Sequence, residues 1–141
     1  MNLNEYFKNR RFFKNKIIVI SAKDSASRYK SEFFAKSNLG LALPLMYRDA
    51  YVAVVDMKRG FVFEKHSKEK YECSYQVKDR FIDMVSAGYN TGNCSSIKIN
   101  EQEFSCNKNG LNFAIFHYKS LELVDKFYVN THSDKGLTIQ R

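Results

Sequence analysis

Two short runs of apolar, mostly β-branched residues stand out in this chain of 141 residues. The first is Lys16–Ser21 and the second is Tyr51–Val55. Because neither run alternates with polar residues, each is typical of a strand that is buried on both faces. The turn Lys58–Gly60 then leads into the apolar segment Phe61–Phe63, which predicts a strand paired with the second run.

Two other segments show the spacing of amphipathic helices. In Asn4–Phe13 the aromatic residues recur at helical spacing, which predicts a short helix with a basic outer face. A second helix is expected to run from an N-cap at Asp24 or Ser25 to about Ser37. The segment Asn38–Gly40 that follows is a common helix-stop signal.

The second half of the chain favours short strands. Tyr71–Tyr75 predicts a weak strand, whereas the apolar residues Phe81, Ile82 and Val85 indicate a helical turn. Asn109-Gly110 is a dipeptide typical of a tight turn. Two further strand pairs are predicted in the last third: Ile97–Ile99 with Glu103–Cys106, and Leu111–Tyr118 with Leu123–Val129.

These elements together predict one domain over residues 1–141, because no repeat or linker divides the chain. The hydrophobic fraction of 44% and the aromatic fraction of 15% are sufficient for a real core. The expected fold class is α+β, with mixed and antiparallel sheets flanked by two or three helices.

The chain is basic, with a formal net charge of +8 and a pI of about 9.4. Such a charge permits nucleic acid, an anionic membrane or an acidic glycan as a partner. Apart from a cluster between Lys8 and Lys16, the basic residues are dispersed. Dispersal favours a solvated basic face and makes nucleic acid the less favoured partner.

The three cysteines, Cys73, Cys94 and Cys106, form no CxxC pair and have no histidine at metal-ligand spacing. We therefore expect no metal and no other cofactor. An odd number of cysteines fits reduced thiols, although Cys94 and Cys106 could face each other across a hairpin. The sequence is therefore compatible with one disulfide, between Cys94 and Cys106, as well as with none.

The start of the chain lacks the apolar core of a signal peptide. No apolar run approaches the roughly 20 residues of a membrane-spanning helix. We expect a soluble protein of the cytoplasm.

Two blocks of short motifs cover most of the chain. The first contains Ile17–Ile20, Lys23–Ser27, Leu39-Gly40, Tyr47–Val52 and Phe63–His66. The second contains Ser86–Asn90, Ile97–Ile99, Asn109–Asn112, Val124-Asp125 and Asn130-Thr131. Together they resemble the ILEI/PANDER domain family, named for the interleukin-like inducer of epithelial–mesenchymal transition. That family includes the carbohydrate-binding stem domain of the protein O-mannose N-acetylglucosaminyltransferase.

The order of the two blocks is reversed relative to the family. The segment Asn4–Phe13 resembles the helix that normally connects them, so the sequence is similar to a circular permutation cut in that connection. A permuted chain closes the same fold if its two ends lie close together. The alternative is a fragment that spans two tandem copies.

The resemblance implies a non-catalytic, lectin-like domain without catalytic residues. Carried over by position, Arg48 would donate hydrogen bonds to a sugar, and Asp24 or Asp49 would accept them from hydroxyls. Three tyrosines are candidates for the aromatic face that packs on a pyranose: Tyr47, Tyr51 and Tyr89. A competing interpretation is an internal Arg48–Asp24 ion pair that pins the second helix to the sheet.

The expected partner is a glycan or another sugar-containing ligand. In a cytosolic setting the domain would serve as an accessory module in the synthesis or recognition of a surface polysaccharide, next to a glycan-synthesising enzyme.

Two alternatives from other functional classes stay open. Aromatic and basic residues interleave in Asn4–Phe13, a pattern that can stack bases and contact phosphates, although one face packing on a sheet explains it too and is the commoner situation. Asp24, Asp49 and Asp56 could supply paired carboxylates for glycoside hydrolysis, but no hydrolase motif accompanies them. Cys94 would act as a nucleophile only with a histidine beside it.

Overall fold

The computed structural model describes residues 1–26, 37–43, 45–132 and 137–141. Over these residues 52% of the chain lies in strands and 4% in helices. The described part of the chain contains one complete helix, α1 (Leu3–Tyr6); the only other described residue in helical conformation is at position 37. The nine strands are β1 (Lys16–Asp24), β2 (Ala50–Asp56), β3 (Phe61–Ser67), β4 (Tyr71–Val77), β5 (Arg80–Gly88), β6 (Cys94–Ile99), β7 (Gln102–Glu103), β8 (Gly110–His117) and β9 (Leu123–Val129).

The prediction of an α+β fold with two or three helices is wrong. The described residues form one mixed sheet of nine strands, and no helix among them reaches seven residues. In this described part, no helix is long and apolar enough to cross a membrane. The second predicted helix, from Asp24 or Ser25 to Ser37, falls mostly on residues 27–36, which lie outside the described ranges.

The helix predicted over Asn4–Phe13 is also wrong in extent, because α1 ends at Tyr6 and a succession of turns follows it. Phe7 and Phe13 are nevertheless buried, at 1% and 3% exposure. Large aromatic rings can reach the core from an irregular backbone as well as from a helix. The spacing of these residues therefore did not indicate a helix.

The turn predicted from Phe81, Ile82 and Val85 is instead part of β5. Burial alternates along this strand, with Ile82 and Met84 inside and Phe81 half-exposed. A period of two residues governs the segment, as in any half-buried strand. The strands predicted at Tyr71–Tyr75 and in the first half of the chain are confirmed.

Strand β1 lies at the centre of the sheet. It pairs antiparallel with β2 along one edge and with β8 along the other. Strands β3 and β9 extend this five-stranded limb on its two sides. At its last residues β1 also pairs in parallel with β5, through Lys23–Ala87 and Asp24–Gly88. A second, antiparallel limb of β4, β5, β6 and β7 begins from that point.

The second limb covers one face of the first. Ile17 and Val19 of β1 pack in one core with residues of the second limb: Tyr75, Val77, Ile82, Met84, Ile97 and Ile99. The opposite face of β1, with Ile18 and Ile20, packs on residues outside the sheet: Leu3, Phe7, Phe13, Leu39, Leu41 and Leu45. This covering on both faces confirms the prediction made for the apolar run of β1 and explains why it lacks alternation.

The first and last residues of the chain pair with each other. Asn2 forms a bridge with Thr138, the Leu3 N–H donates to the Leu137 carbonyl, and the Ile139 N–H donates to the Met1 carbonyl. A circular permutation requires adjacent ends, and this pairing supplies them. The relationship to the family stays a prediction.

Candidate functional site

The site lies at a corner of the sheet, where β1 and β5 end and β2 begins. The buried Ser86 hydroxyl ties these three strands together, since it donates to the Ala22 carbonyl at 2.6 Å and accepts from the Tyr51 N–H at 2.9 Å. The Tyr89 N–H donates to the Asp24 carbonyl at 3.0 Å, which fixes the exit of β5 against that of β1. The corner is therefore held by backbone groups inside the fold.

Arg48 enters this corner in a left-handed backbone conformation, with φ of 57°. Its N–H donates to the Ser25 hydroxyl at 3.0 Å. Its carbonyl oxygen lies so close to Gly88 that a Cβ placed there would come within 1.8 Å of it. The absence of a side chain at Gly88 is what allows the loop before β2 to lie on the end of β5.

The Arg48 guanidinium lies near two tyrosine rings. Its Cζ is 4.9 Å from the ring centre of Tyr47 and 4.5 Å from that of Tyr89. Both are cation–π distances. The tyrosines are 65% and 55% exposed, while Arg48 is half-buried. We call these three residues the arginine–tyrosine cluster.

Hydrogen-bonding capacity of the Arg48 side chain remains unused within the described residues. Its guanidinium forms no hydrogen bond and no ion pair with any of them. The predicted Arg48–Asp24 ion pair is therefore not formed. A guanidinium carries five N–H donors, and a contact with aromatic rings leaves them available to a ligand.

Two carboxylates lie near the cluster: Asp24 at the end of β1 and Asp49 just before β2. The Asp24 Oδ2 is 3.8 Å from the Nε2 of His132, and that nitrogen is 2.7 Å from the Ser25 carbonyl. Asp49 is half-buried and follows Arg48 directly. His132 was not among the site residues predicted from sequence, although its closeness to the Asn130-Thr131 motif is a signal that could have placed it here.

Tyr51 lies apart from the cluster. It is 1% exposed, and its hydroxyl donates to Glu64 Oε2 at 2.7 Å. Burial, followed by this hydrogen bond and the negative charge of Glu64, raises the pKa of Tyr51. The two Glu64 oxygens also accept from the N–H groups of Ala42 and Leu43, each at 3.1 Å. Glu64 thus joins the segment after Gly40 to Tyr51 of β2, and the Tyr51 ring presents no face to solvent.

Of the three carboxylates considered for hydrolysis, Asp56 is separated from Asp49 by the length of β2. Asp56 ends β2 while Asp49 precedes its first residue, which puts them roughly 20 Å apart at the rise of a strand. Asp56 is buried and bonds to Arg59 at 2.6 Å and to the Tyr75 hydroxyl at 3.1 Å. The structure therefore does not bring these two residues together.

The cysteines are free thiols, so the disulfide left open between Cys94 and Cys106 is not formed. Burial and then the nearby charge of Asp83 raise the pKa of Cys73 to about 11. Within the described ranges, no group of three or more histidine, cysteine or acidic side chains is arranged to hold a metal ion.

The aromatic residues of the N-terminal segment are mostly occupied inside the protein. Phe7 and Phe13 belong to the core, and the Tyr6 hydroxyl donates to Asp125 at 2.7 Å. Phe12 is 49% exposed, with the Lys16 Nζ 4.9 Å from its ring centre. Packing on the sheet, the simpler of the two explanations for this pattern, is confirmed.

No family model, curated protein or solved structure matches this chain. The likeness to the ILEI/PANDER family therefore remains a prediction from short motifs.

Proposed function

We propose that this protein binds a glycan without cleaving it, and that the ligand lies on the arginine–tyrosine cluster. The observation that carries the proposal is the Arg48 guanidinium beside two exposed tyrosine rings. Exposed aromatic faces pack on the C–H face of a pyranose, and a guanidinium donates hydrogen bonds to its hydroxyls or to an N-acetyl carbonyl.

The acids next to the cluster complete the set of groups that a polyhydroxyl ligand needs. A sugar hydroxyl both donates and accepts, so a site that offers donors alone leaves half of its bonds unmade. The Asp49 carboxylate is the nearest acceptor in the chain and makes no hydrogen bond or ion pair with a described residue. Asp24 is already beside His132, so Asp49 is the better acceptor.

The backbone supports recognition because it fixes Arg48 before any ligand arrives. The Ser25 bond and the contact with Gly88 hold the residue at both of its peptide groups. A residue whose backbone is fixed in advance loses less conformational freedom on binding, which favours affinity. The same rigidity suits an accessory module that positions a polysaccharide for a glycan-synthesising enzyme in the cytoplasm.

Binding of the parent protein and its Arg48 variants to a glycan array tests the proposed site. We expect Arg48→Ala to weaken binding about tenfold or more, since hydrogen bonds to a charged group contribute about 1.5–3 kcal/mol. Arg48→Lys keeps the charge but lacks the planar set of donors, and it should restore only part of the affinity. The matched control is Arg11→Ala, which removes the same charge from an exposed turn.

The aromatic part of the site has its own control. Tyr47→Ala and Tyr89→Ala should each reduce binding, whereas Phe81→Ala removes an aromatic ring of similar exposure from β5 and should not. The proposal fails if no glycan binds, or if folded Arg48→Ala binds every glycan as the parent does. Turnover of a glycoside substrate would instead favour an enzyme.

Salt separates this proposal from nucleic-acid binding. Affinity for a neutral oligosaccharide should change little between 50 and 200 mM salt (about the range over which a phosphate-binding protein loses orders of magnitude). A steep loss of affinity over that range would point to phosphate contacts and against the proposal.

A further inference from the structure

A basic cavity lies at the end of the central strands opposite the arginine–tyrosine cluster. Its volume is about 390 Å³, within the range of pockets for small ligands. Four turns and the last residue of β8 contribute its lining: Asn15, Lys58, Lys78, His117, Tyr118 and Lys119. We call it the lysine cavity.

The fold explains why residues so far apart in sequence meet here. His117 pairs with Lys16 at the start of β1, while Lys58 follows the end of the neighbouring β2. The Tyr118 N–H donates to the Asn15 carbonyl at 2.9 Å, and this hydrogen bond joins the residue after β8 to the residue before β1. Lys78 is contributed by the turn between β4 and β5 of the second limb.

The cavity concentrates positive charge without a neutralising acid. None of its lining residues is acidic, and none of its three lysines forms an ion pair with a described residue. The nearby buried acid, Asp56, is already bonded to Arg59 and to Tyr75. The uncompensated lysines therefore create a local positive potential, and a concave wall strengthens it.

The tyrosine in the wall is part of the same arrangement. The Lys78 Nζ lies 5.4 Å from the Tyr118 ring centre, and the Arg59 Cζ lies 5.7 Å from it. These contacts hold two cations beside the ring. Lysine ammonium groups are compact point charges that donate up to three hydrogen bonds each, which suits a phosphate bearing several oxygens.

We propose that the lysine cavity binds a small phosphate-bearing ligand that carries two or more negative charges. The positive charges of the three lysines can neutralise such an anion, and the cavity is larger than a single inorganic ion. The site is distinct from the arginine–tyrosine cluster: the seven residues of β2 separate the two by roughly 20 Å. The inference is therefore independent of the proposed glycan site.

Calorimetric titration of the full chain with pyrophosphate at low salt tests the cavity. We expect saturable binding at one site per chain. In the variant Lys58→Gln/Lys78→Gln/Lys119→Gln the affinity should fall at least about tenfold, since each lysine lost removes a charge close to the ligand. Arg48→Ala should bind pyrophosphate as the parent does.

The matched control is Lys8→Gln/Lys65→Gln/Lys98→Gln, which makes the same change in net charge at exposed positions outside the cavity. If the control loses as much affinity as the cavity variant, attraction by the overall charge explains the binding and the proposal is overturned. It is also overturned if the folded parent does not bind pyrophosphate, whether or not it binds a single-stranded oligonucleotide. Unchanged glycan binding by the cavity variant would confirm that the two sites are separate.

Discussion

At the scale of single residues, the backbone of Arg48 is the most constrained part of the candidate glycan site. A φ of 57° is uncommon for a residue with a long side chain and costs on the order of 1 kcal/mol. The hydrogen bond from the Arg48 N–H to the Ser25 hydroxyl offsets part of that cost. Such strain is common at binding sites because the surrounding structure fixes one conformation.

Gly88→Ala should therefore damage both stability and binding. The new Cβ would meet the Arg48 carbonyl oxygen at 1.8 Å, and a backbone atom cannot swing aside as a side-chain tip can. We expect a loss of about 1–3 kcal/mol in the free energy of unfolding, measured by urea denaturation. Gly60→Ala is the comparison: it has open space around it and only the cost of a φ of 66°. Equal effects of the two changes would show that the loop can move away from β5.

The raised pKa of the Tyr75 hydroxyl predicts that the protein loses stability at high pH. Burial, followed by the charge of Asp56, raises the pKa of Tyr75 from 10.0 to about 12. Above pH 10 the unfolded chain therefore loses this proton while the folded chain retains it, so the free energy of unfolding decreases as pH rises toward 12. Denaturation curves between pH 9 and about 12 should show this decrease, with a shallower slope in Tyr75→Phe. An identical slope in both proteins would assign the effect to other tyrosines.

At the scale of elements, the segment from α1 to β1 acts as a cover over one face of the sheet. Its short helix and turns place Leu3, Phe7 and Phe13 in the core. Phe7 contacts the ring of Phe113 on β8 and that of Phe127 on β9, with centroid distances of 5.9 and 6.3 Å. The segment therefore stabilises the first limb although little of it is helical.

Two phenylalanine substitutions separate a structural role of this segment from a binding role. Phe7→Ala should lower the free energy of unfolding by about 3–5 kcal/mol because it leaves a cavity in the core. Phe12→Ala, at a residue that is 49% exposed, should cost less than about 1 kcal/mol. Thermal unfolding compares them. A similar large loss for Phe12 would mean that its ring is packed more tightly than its exposure indicates.

The elements also show what the sequence could and could not predict. The strands β1 and β2 were predictable because only burial on both faces tolerates such continuous apolar runs. The helix over Asn4–Phe13 was not, since helical spacing of aromatic residues is also produced by turns that face a sheet. The lysine cavity was missed because its lysines lie on separate turns, which only the pairing of the strands brings together. Arg48, Tyr47 and Tyr89 were all named from sequence, but the proximity of Tyr89 depends on the β1–β5 pairing.

At the scale of the whole molecule, the pairing of residues 1–3 with 137–139 makes the fold nearly circular. The chain can therefore be joined there and opened in a turn between two strands without loss of the pairing between strands. Such tolerance is a general property of domains whose ends are adjacent.

A permuted chain tests this property. Arg141 would be joined to Met1 by about four glycine and serine residues, and the chain opened between the exposed Glu69 and Lys70. We expect the parent circular dichroism spectrum and a similar melting temperature. Opening the chain between Ala114 and Ile115, inside the buried β8, should abolish folding. Failure of both permutants would mean that the pairing of the end segments is too weak to survive a linker.

The position of β1 also has a consequence for synthesis of the protein. Lys16–Asp24 leaves the ribosome early, but one of its edges pairs with β8, whose first residue is Gly110. Until β8 emerges, the apolar strand β1 has an unpaired edge, and another chain can pair with that edge. Folding dominated by such distant pairings is slow and leaves intermediates prone to aggregation. Nascent chains stalled before Gly110 should therefore depend on chaperones to stay soluble.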